Sequence, residues 1–151
     1  MMKKLLLALA LLLGGILGLQ AQNDKADNII GTYLCGTGND AYKVKIIKAV
    51  DGTYTVQVCW VADPLDANGK VRLDVKNPDK SLRSTRIDQV VIIRGLKYIP
   101  AKQHWGDAKI YDPDRGIRVK ATLSFDNPRV LKVRGTVLGI GETVVWNKLD
   151  E

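Results

Sequence analysis

Apolar and polar side chains alternate along most of this chain. In AYKVKIIKAV, Tyr42, Val44 and Ile46 stand against Lys43 and Lys45; in YTVQVCW, Tyr54, Val56, Val58 and Trp60 stand against Thr55, Gln57 and Cys59. A period of two puts one set of side chains on a packing face and the other in water, the signature of a half-buried strand. Asp51-Gly52-Thr53 between the runs is a tight-turn signal, so the two are expected to form a hairpin. Further on, Ile117, Val119, Ala121, Leu123 and Phe125 share one face, while Arg118, Lys120, Thr122 and Ser124 take the other. Asp126-Asn127-Pro128 turns the chain, Val130 to Leu138 returns with Lys132 and Arg134 on its polar side, and Gly139-Ile140-Gly141 turns it again into Glu142 to Lys148. With Ile29 to Cys35, Val90 to Arg94 and Trp105 to Tyr111, this makes about eight strands at regular spacing. Strands joined in succession by short turns predict an up-and-down antiparallel sheet, and closing it removes its exposed edges. The expected fold is therefore all-β, a small barrel in preference to a two-sheet sandwich.

One segment breaks the alternation. ADPLDANGKVRLDVKNPDKSLRSTRIDQ, residues 62–89, is rich in charge and poor in large apolar residues. Connections longer than about 12–15 residues are commonly functional or disordered. A brief strand over Val71 to Val75 and a helical turn opening at Asn77-Pro78-Asp79 are expected within it, since Pro suits a first helical position and Asp a first turn. Arg83 then follows Asp79 by four residues and is expected to pair with it, latching the loop to the barrel.

The chain begins MMKKLLLALALLLGGILGLQAQ, with Lys3 and Lys4 ahead of an apolar run and small residues at its exit. This reads as a secretory signal peptide cleaved after Ala21, in preference to a retained membrane anchor, for which the charge-free run Leu5 to Leu19 is short. Removing 21 of 151 residues leaves 130, one domain covering 22–151, and removing two lysines takes the formal net charge from +7 to +5. Export to the periplasm or beyond makes nucleic acid a poor partner. The basic excess favours anionic neighbours such as envelope lipid, or a merely solvated surface. Cys35 and Cys59 can form a bridge in an oxidising compartment or remain as free thiols. Two cysteines and the lone His104 do not make a four-ligand zinc site, so neither metal nor other cofactor is expected.

The run PLDANGKVRLDVKNPDKSLR (Pro64 to Arg83), then WGDAKIYDPDRG (Trp105 to Gly116), LKVRG (Leu131 to Gly135) and the closing Trp146 resemble the bacterial family designated domain of unknown function 2147. The resemblance spans Gly31 to Trp146. It implies a short exported protein of mainly Gram-negative bacteria and brings no enzymatic activity with it. This chain departs from the family pattern at Tyr33, where a Trp is frequent, and lacks a Cys-Gly pair near the second hairpin.

Candidate chemistry is sparse. Asp107, Asp112 and Asp114 cluster, but Asp-Pro-Asp-x-Gly is also what a turn requires, and it supplies too few oxygens for a calcium loop. The serines Ser81, Ser84 and Ser124 stand in no nucleophile motif, so a non-enzymatic protein is expected. The expected function is binding of a small apolar or amphipathic ligand inside a lipocalin-like barrel. Trp60, Trp105 and Tyr111 are expected to line its wall, Arg83 and Arg134 to meet the ligand's polar end, and the long loop to serve as a lid. The alternative is an envelope interaction module with a filled barrel and a basic face made of Lys43, Lys45, Arg118, Lys120 and Lys132, docking anionic lipid or a partner protein. The sequence leaves ligand identity and oligomeric state open.

Overall fold

The computed structural model describes residues 22–150, and the expected signal peptide lies outside them. Among the described residues the strands are β1 (Gly31–Cys35), β2 (Tyr42–Lys48), β3 (Tyr54–Val61), β4 (Val91–Ile99), β5 (His104–Asp112), β6 (Ile117–Asn127), β7 (Val130–Val137) and β8 (Ile140–Lys148). Each pairs antiparallel with the next, and β8 returns to β1, so the barrel closes in chain order as expected.

The alternation explains most of the core. Val44 and Ile46 of β2, Tyr54, Val56 and Val58 of β3, Ala121, Leu123 and Phe125 of β6, and Leu131 and Val133 of β7 are all buried together. Asp51 shapes the β2–β3 turn by accepting from both the N–H and the hydroxyl of Thr53. β4 runs past its expected end at Arg94 to Ile99, because Gly95 adopts φ 68° and kinks the strand so that Leu96 re-enters the core.

Two bulges reset the alternation. In β3 the register slips opposite Lys43 and Val44, so Val58 faces inward while Trp60 pairs with Lys43 on the outside. In β5 it slips between Trp105 and Ala108, where Asp107 takes φ 54°. Trp105 is therefore inward, but beyond the bulge Ala108 and Ile110 face the interior beside Ala121 and Val119. Tyr111 pairs with Arg118 on the outer face. A bulge inserts one residue into a strand, and an odd insertion moves every later side chain to the opposite face.

The segment ahead of β1 seals one end. Asn23 brackets Phe125, donating to its carbonyl oxygen at 3.0 Å and accepting from its N–H at 2.8 Å. The hydroxyl of Tyr98 donates to Asn23 O at 2.6 Å, Trp105 Nε1 donates to Ala26 O at 3.0 Å, and the Tyr33 hydroxyl donates to Ile29 O at 2.8 Å. Trp105 packs edge-on against Phe125 and tilted against Tyr98, with ring centroids 5.8 Å and 5.1 Å away, forming the floor.

Residues 62–89 fold back on themselves through Asp74 N–H to Thr85 O and Ile87 N–H to Arg72 O. The expected strand reduces to isolated bridges, Leu65 with Val71 and Leu73 with Arg86. The expected helical turn is a 3-10 turn at Lys80–Leu82, capped by the Asp79 carboxylate on Ser81 N–H. The segment is fixed to the outside of the β5–β6 end. Buried Asp74 accepts from the Tyr111 hydroxyl at 2.7 Å and from Asn77 Nδ2 at 2.8 Å, and Lys76 Nζ donates to Asp114 O. Gly116 permits this approach: a Cβ there would sit 2.4 Å from the Lys76 carbonyl oxygen.

Candidate functional site at the open end of the barrel

The end opposite the floor is not sealed in the same way. β8 meets β1 through Tyr33–Lys148, Leu34–Asn147 and Cys35–Trp146 only, whereas it follows β7 over its whole length from Val130–Asn147 to Val137–Ile140. β1 stops because Gly36 turns it away at φ 69°, with a Cβ position 2.9 Å from Asp40 O that only glycine tolerates. Residues 140–145 thus form a rim standing above the end of β1.

The inward positions of that rim are exposed and, Glu142 apart, without charge. Leu131 and Val133 are buried and face inward, so their alternates Gly135 and Val137 do too, as do the paired Ile140, Glu142 and Val144. Val137 is 50% exposed, Val144 46% and Ile140 81%. Ile117, paired with Asp112 on the opposing wall, is also exposed. Below them Trp146 is buried, and its Nε1–H is turned toward the Tyr42 hydroxyl without reaching good hydrogen-bond geometry. The Tyr42 hydroxyl stands beside this nitrogen and near the Cys35 thiol; burial pushes both the phenol and the thiol well above their ordinary pKa values, keeping them protonated.

The five residues singled out from the sequence are not brought together. Trp60 is 42% exposed on the outer face with Lys43 Nζ over its ring at 5.1 Å. Tyr111 faces outward beneath the long segment; burial first, and then its bond to Asp74, raises its hydroxyl pKa. Trp105 is inward but belongs to the sealed floor. Arg83 donates through Nε to Asn77 O at 2.7 Å, holding its own loop rather than pairing with Asp79, whose carboxylate is held below its ordinary pKa by Ser81. Arg134 lies exposed on the outer face of β7 near the Thr143 hydroxyl. The two arginines therefore do not converge on the mouth, and the long segment braces the wall from outside instead of covering the opening. The basic residues also divide: Lys43 and Lys45 lie on β2 and Arg118 and Lys120 on β6, four strands away around the closed ring, so they form no single face.

The carboxylates are structural. Asp112 Oδ1 accepts from Asp114 N–H within its turn, and Asp107 pairs with Lys97 at 3.2 Å. No group of three metal-ligating side chains occurs among the described residues. Both cysteines are free: Cys35 is inside β1 and Cys59 exposed on β3, with β2 between them, so neither can reach the other. A groove of about 380 Å³ near the Arg129–Asp150 ion pair is shallow and lies outside the barrel, and its charged groups are already paired.

A closed antiparallel barrel with one end sealed by the N-terminal segment and an open, apolar other end is a lipocalin-like architecture. The solved structure of protein HP1028 from the human pathogen Helicobacter pylori, described as belonging to the lipocalin family, is similar to this chain with a TM-score of 0.65 and 20% identity, covering 82% of this chain and 84% of that one. By sequence, the chain belongs to the family of uncharacterised proteins conserved in bacteria designated domain of unknown function 2147, whose model matches residues 31–148. No curated protein matches it. Sequence reasoning did not single out Tyr42, and Trp146 stood out only as a tryptophan on a strand of otherwise smaller inward residues.

Proposed function

We propose that this protein is an exported, non-enzymatic binding protein that takes a small apolar or amphipathic molecule into the open end of its barrel. The observation that carries the reading is the exposed inward wall formed by Val137, Ile140 and Val144 above a sealed floor. Covering an exposed Val or Ile completely is worth about 1.5–3 kcal/mol, so a ligand filling this wall gains several kcal/mol before the cost of immobilising it. Binding without catalysis agrees with the site's groups: the Cys35 thiol is held protonated by burial, and His104 sits at the sealed end beside Ile99. The N-terminal sequence supports export, which places the ligand in the periplasm or outside the cell.

The test is native mass spectrometry of protein purified from its own envelope, followed by solvent extraction, for the wild type and for Val144→Arg. A stoichiometric molecule carried by the wild type and absent from the variant is the expected result. Wild-type protein that is bare and also takes up no apolar fluorescent probe refutes the reading.

A further inference from the structure

The β7–β8 turn is built at a cost. Leu138 and Gly139 are its two central residues, with φ 50° and 79°. Positive φ at both positions favours Asn-Gly, and a leucine in the left-handed region is strained. Leu138 is nevertheless a leucine, 97% exposed, and the flanking Val137 and Ile140 are exposed with it. The stretch Val137-Leu138-Gly139-Ile140 therefore presents an uncharged, apolar tip at the open end of the barrel. Asparagine would suit the turn better, and a leucine in water gains nothing, so folding alone does not account for the residue. Backbone strain that the fold does not require points to a use for the side chain.

A second cost lies on the adjoining outer face. Lys109 on β5 is the direct cross-strand partner of Lys120 on β6, and like charges placed opposite one another repel. Lys120 is paired in turn with Thr136 on β7, one residue from the tip. Arg134, on the same face of β7, reaches forward along the hairpin: its guanidinium lies over Gly141, where a Cβ would come 2.5 Å from Nη2. All three cations are exposed, and the ion pairs among the described residues leave them out. The carboxylates of this end are engaged elsewhere, Asp112 with Arg115 and Asp114 with Arg72, and Glu142 faces into the barrel. Arg118 keeps its guanidinium over the Tyr111 ring and has Asp79 near it, so it adds less. Lys43 and Lys45, on β2, take no part.

An apolar tip ahead of unpaired cations matches an anionic lipid surface, whose headgroups attract Lys and Arg while its acyl region takes apolar side chains. An acidic protein would satisfy the cations, but a convex apolar tip offers such a partner little area to bury. We propose that Leu138 and Ile140 insert into an anionic bilayer while Lys109, Lys120 and Arg134 meet its headgroups. Docked in this way, the mouth of the barrel faces the lipid. The inference goes beyond ligand binding and holds whether or not the barrel is occupied.

The experiment is co-sedimentation with vesicles of phosphatidylcholine alone and of equal parts phosphatidylcholine and phosphatidylglycerol. It compares the wild type with Leu138→Asn, with Lys109→Gln/Lys120→Gln, and with Lys45→Gln/Lys102→Gln, which removes the same charge from β2 and from the sealed end. Leu138→Asn relieves strain in the turn, so weaker binding by that variant does not come from unfolding, and thermal melts check the other two.

The wild type is expected to sediment with the anionic vesicles only, and to be released at about 1 M salt, where the screening length falls to roughly 3 Å. Leu138→Asn weakens binding about tenfold through lost apolar burial. Lys109→Gln/Lys120→Gln weakens it about fivefold per lysine removed, while Lys45→Gln/Lys102→Gln stays near wild type. Equal binding to neutral vesicles, no binding to either, wild-type binding by Leu138→Asn, or the same loss in both double variants overturns the inference. Retention of the wild type on immobilised polyglutamate without vesicle binding assigns the face to an acidic partner and overturns it too. Uptake of an apolar probe is read separately, so failure on vesicles leaves the pocket standing.

Discussion

The contact between Asp74 and Tyr111 decides whether residues 62–89 act as a brace. Asp74 is 2% exposed and Tyr111 3%, and the carboxylate takes the Tyr111 hydroxyl at 2.7 Å together with Asn77 Nδ2 at 2.8 Å. Tyr111→Phe removes one donor to a charged acceptor and leaves the ring under Arg118 in place. A buried hydrogen bond to a charged group contributes about 1.5–3 kcal/mol. For a domain of this size each kcal/mol corresponds to about 4 °C, so a globally coupled brace lowers the Tm by roughly 6–12 °C. If the segment instead opens locally, the same free energy raises its open population about tenfold or more with little change in Tm. Trypsin separates the cases, because Arg72, Lys76, Lys80, Arg83 and Arg86 all lie in the segment. Cleavage within 70–86 that quickens while the urea midpoint stays fixed marks local opening, and both changing together marks a brace coupled to the barrel. A variant with wild-type Tm, urea midpoint and trypsin rate refutes the assignment of this contact as the anchor.

Three further outcomes are expected. Asp27 accepts from the Tyr54 hydroxyl and pairs with Lys48, which hold its carboxyl below the ordinary pKa, so its stabilisation is present above the unfolded value near ~3.9 and is lost as pH falls through the lower folded value; Asp27→Asn should flatten the acid limb of a Tm-against-pH curve. Leu138 sits at φ 50° and 97% exposed in the β7–β8 turn, and Leu138→Asn should raise stability by about 1 kcal/mol in urea unfolding, since a non-glycine residue there carries roughly that strain and asparagine tolerates it best. Cys59 is exposed and Cys35 buried with its thiol pKa raised, so one thiol should react promptly with a disulfide reagent in the native state and the second only on unfolding, as peptide mapping of the labelled protein would read.

The number of strands, their order and their closure were legible because each depends on alternation and turn residues, both local. The face of particular side chains was not. Trp60 and Tyr111 share a parity with inward neighbours Val58 and Trp105, and the bulges that break this parity leave little trace in composition. Asp107 is the one clue, as aspartate tolerates φ > 0 better than most residues. The sealing segment was also invisible, since Asn23 and Ala26 act through single bonds to Phe125 and Trp105 that no periodicity announces. Arg83 followed helical spacing that a single 3-10 turn does not sustain, so its guanidinium reached Asn77 O instead of Asp79.

An eight-stranded barrel is just wide enough to be filled by side chains or to hold one small molecule, and the sequence pointed to the second use while leaving the first as its alternative. The two ends divide them. At the sealed end the polar tips of Tyr33, Tyr54, Tyr98 and Trp105 each donate to the N-terminal segment, so large aromatic rings are buried with their hydrogen bonds satisfied. At the open end the buried indole of Trp146 has only the Tyr42 hydroxyl beside it, and the inward residues above it stay exposed. Substitutions should separate accordingly: Trp105→Phe loses a bond that closes the floor and lowers stability, whereas Val144→Arg changes an already exposed side chain and acts on what the barrel can admit.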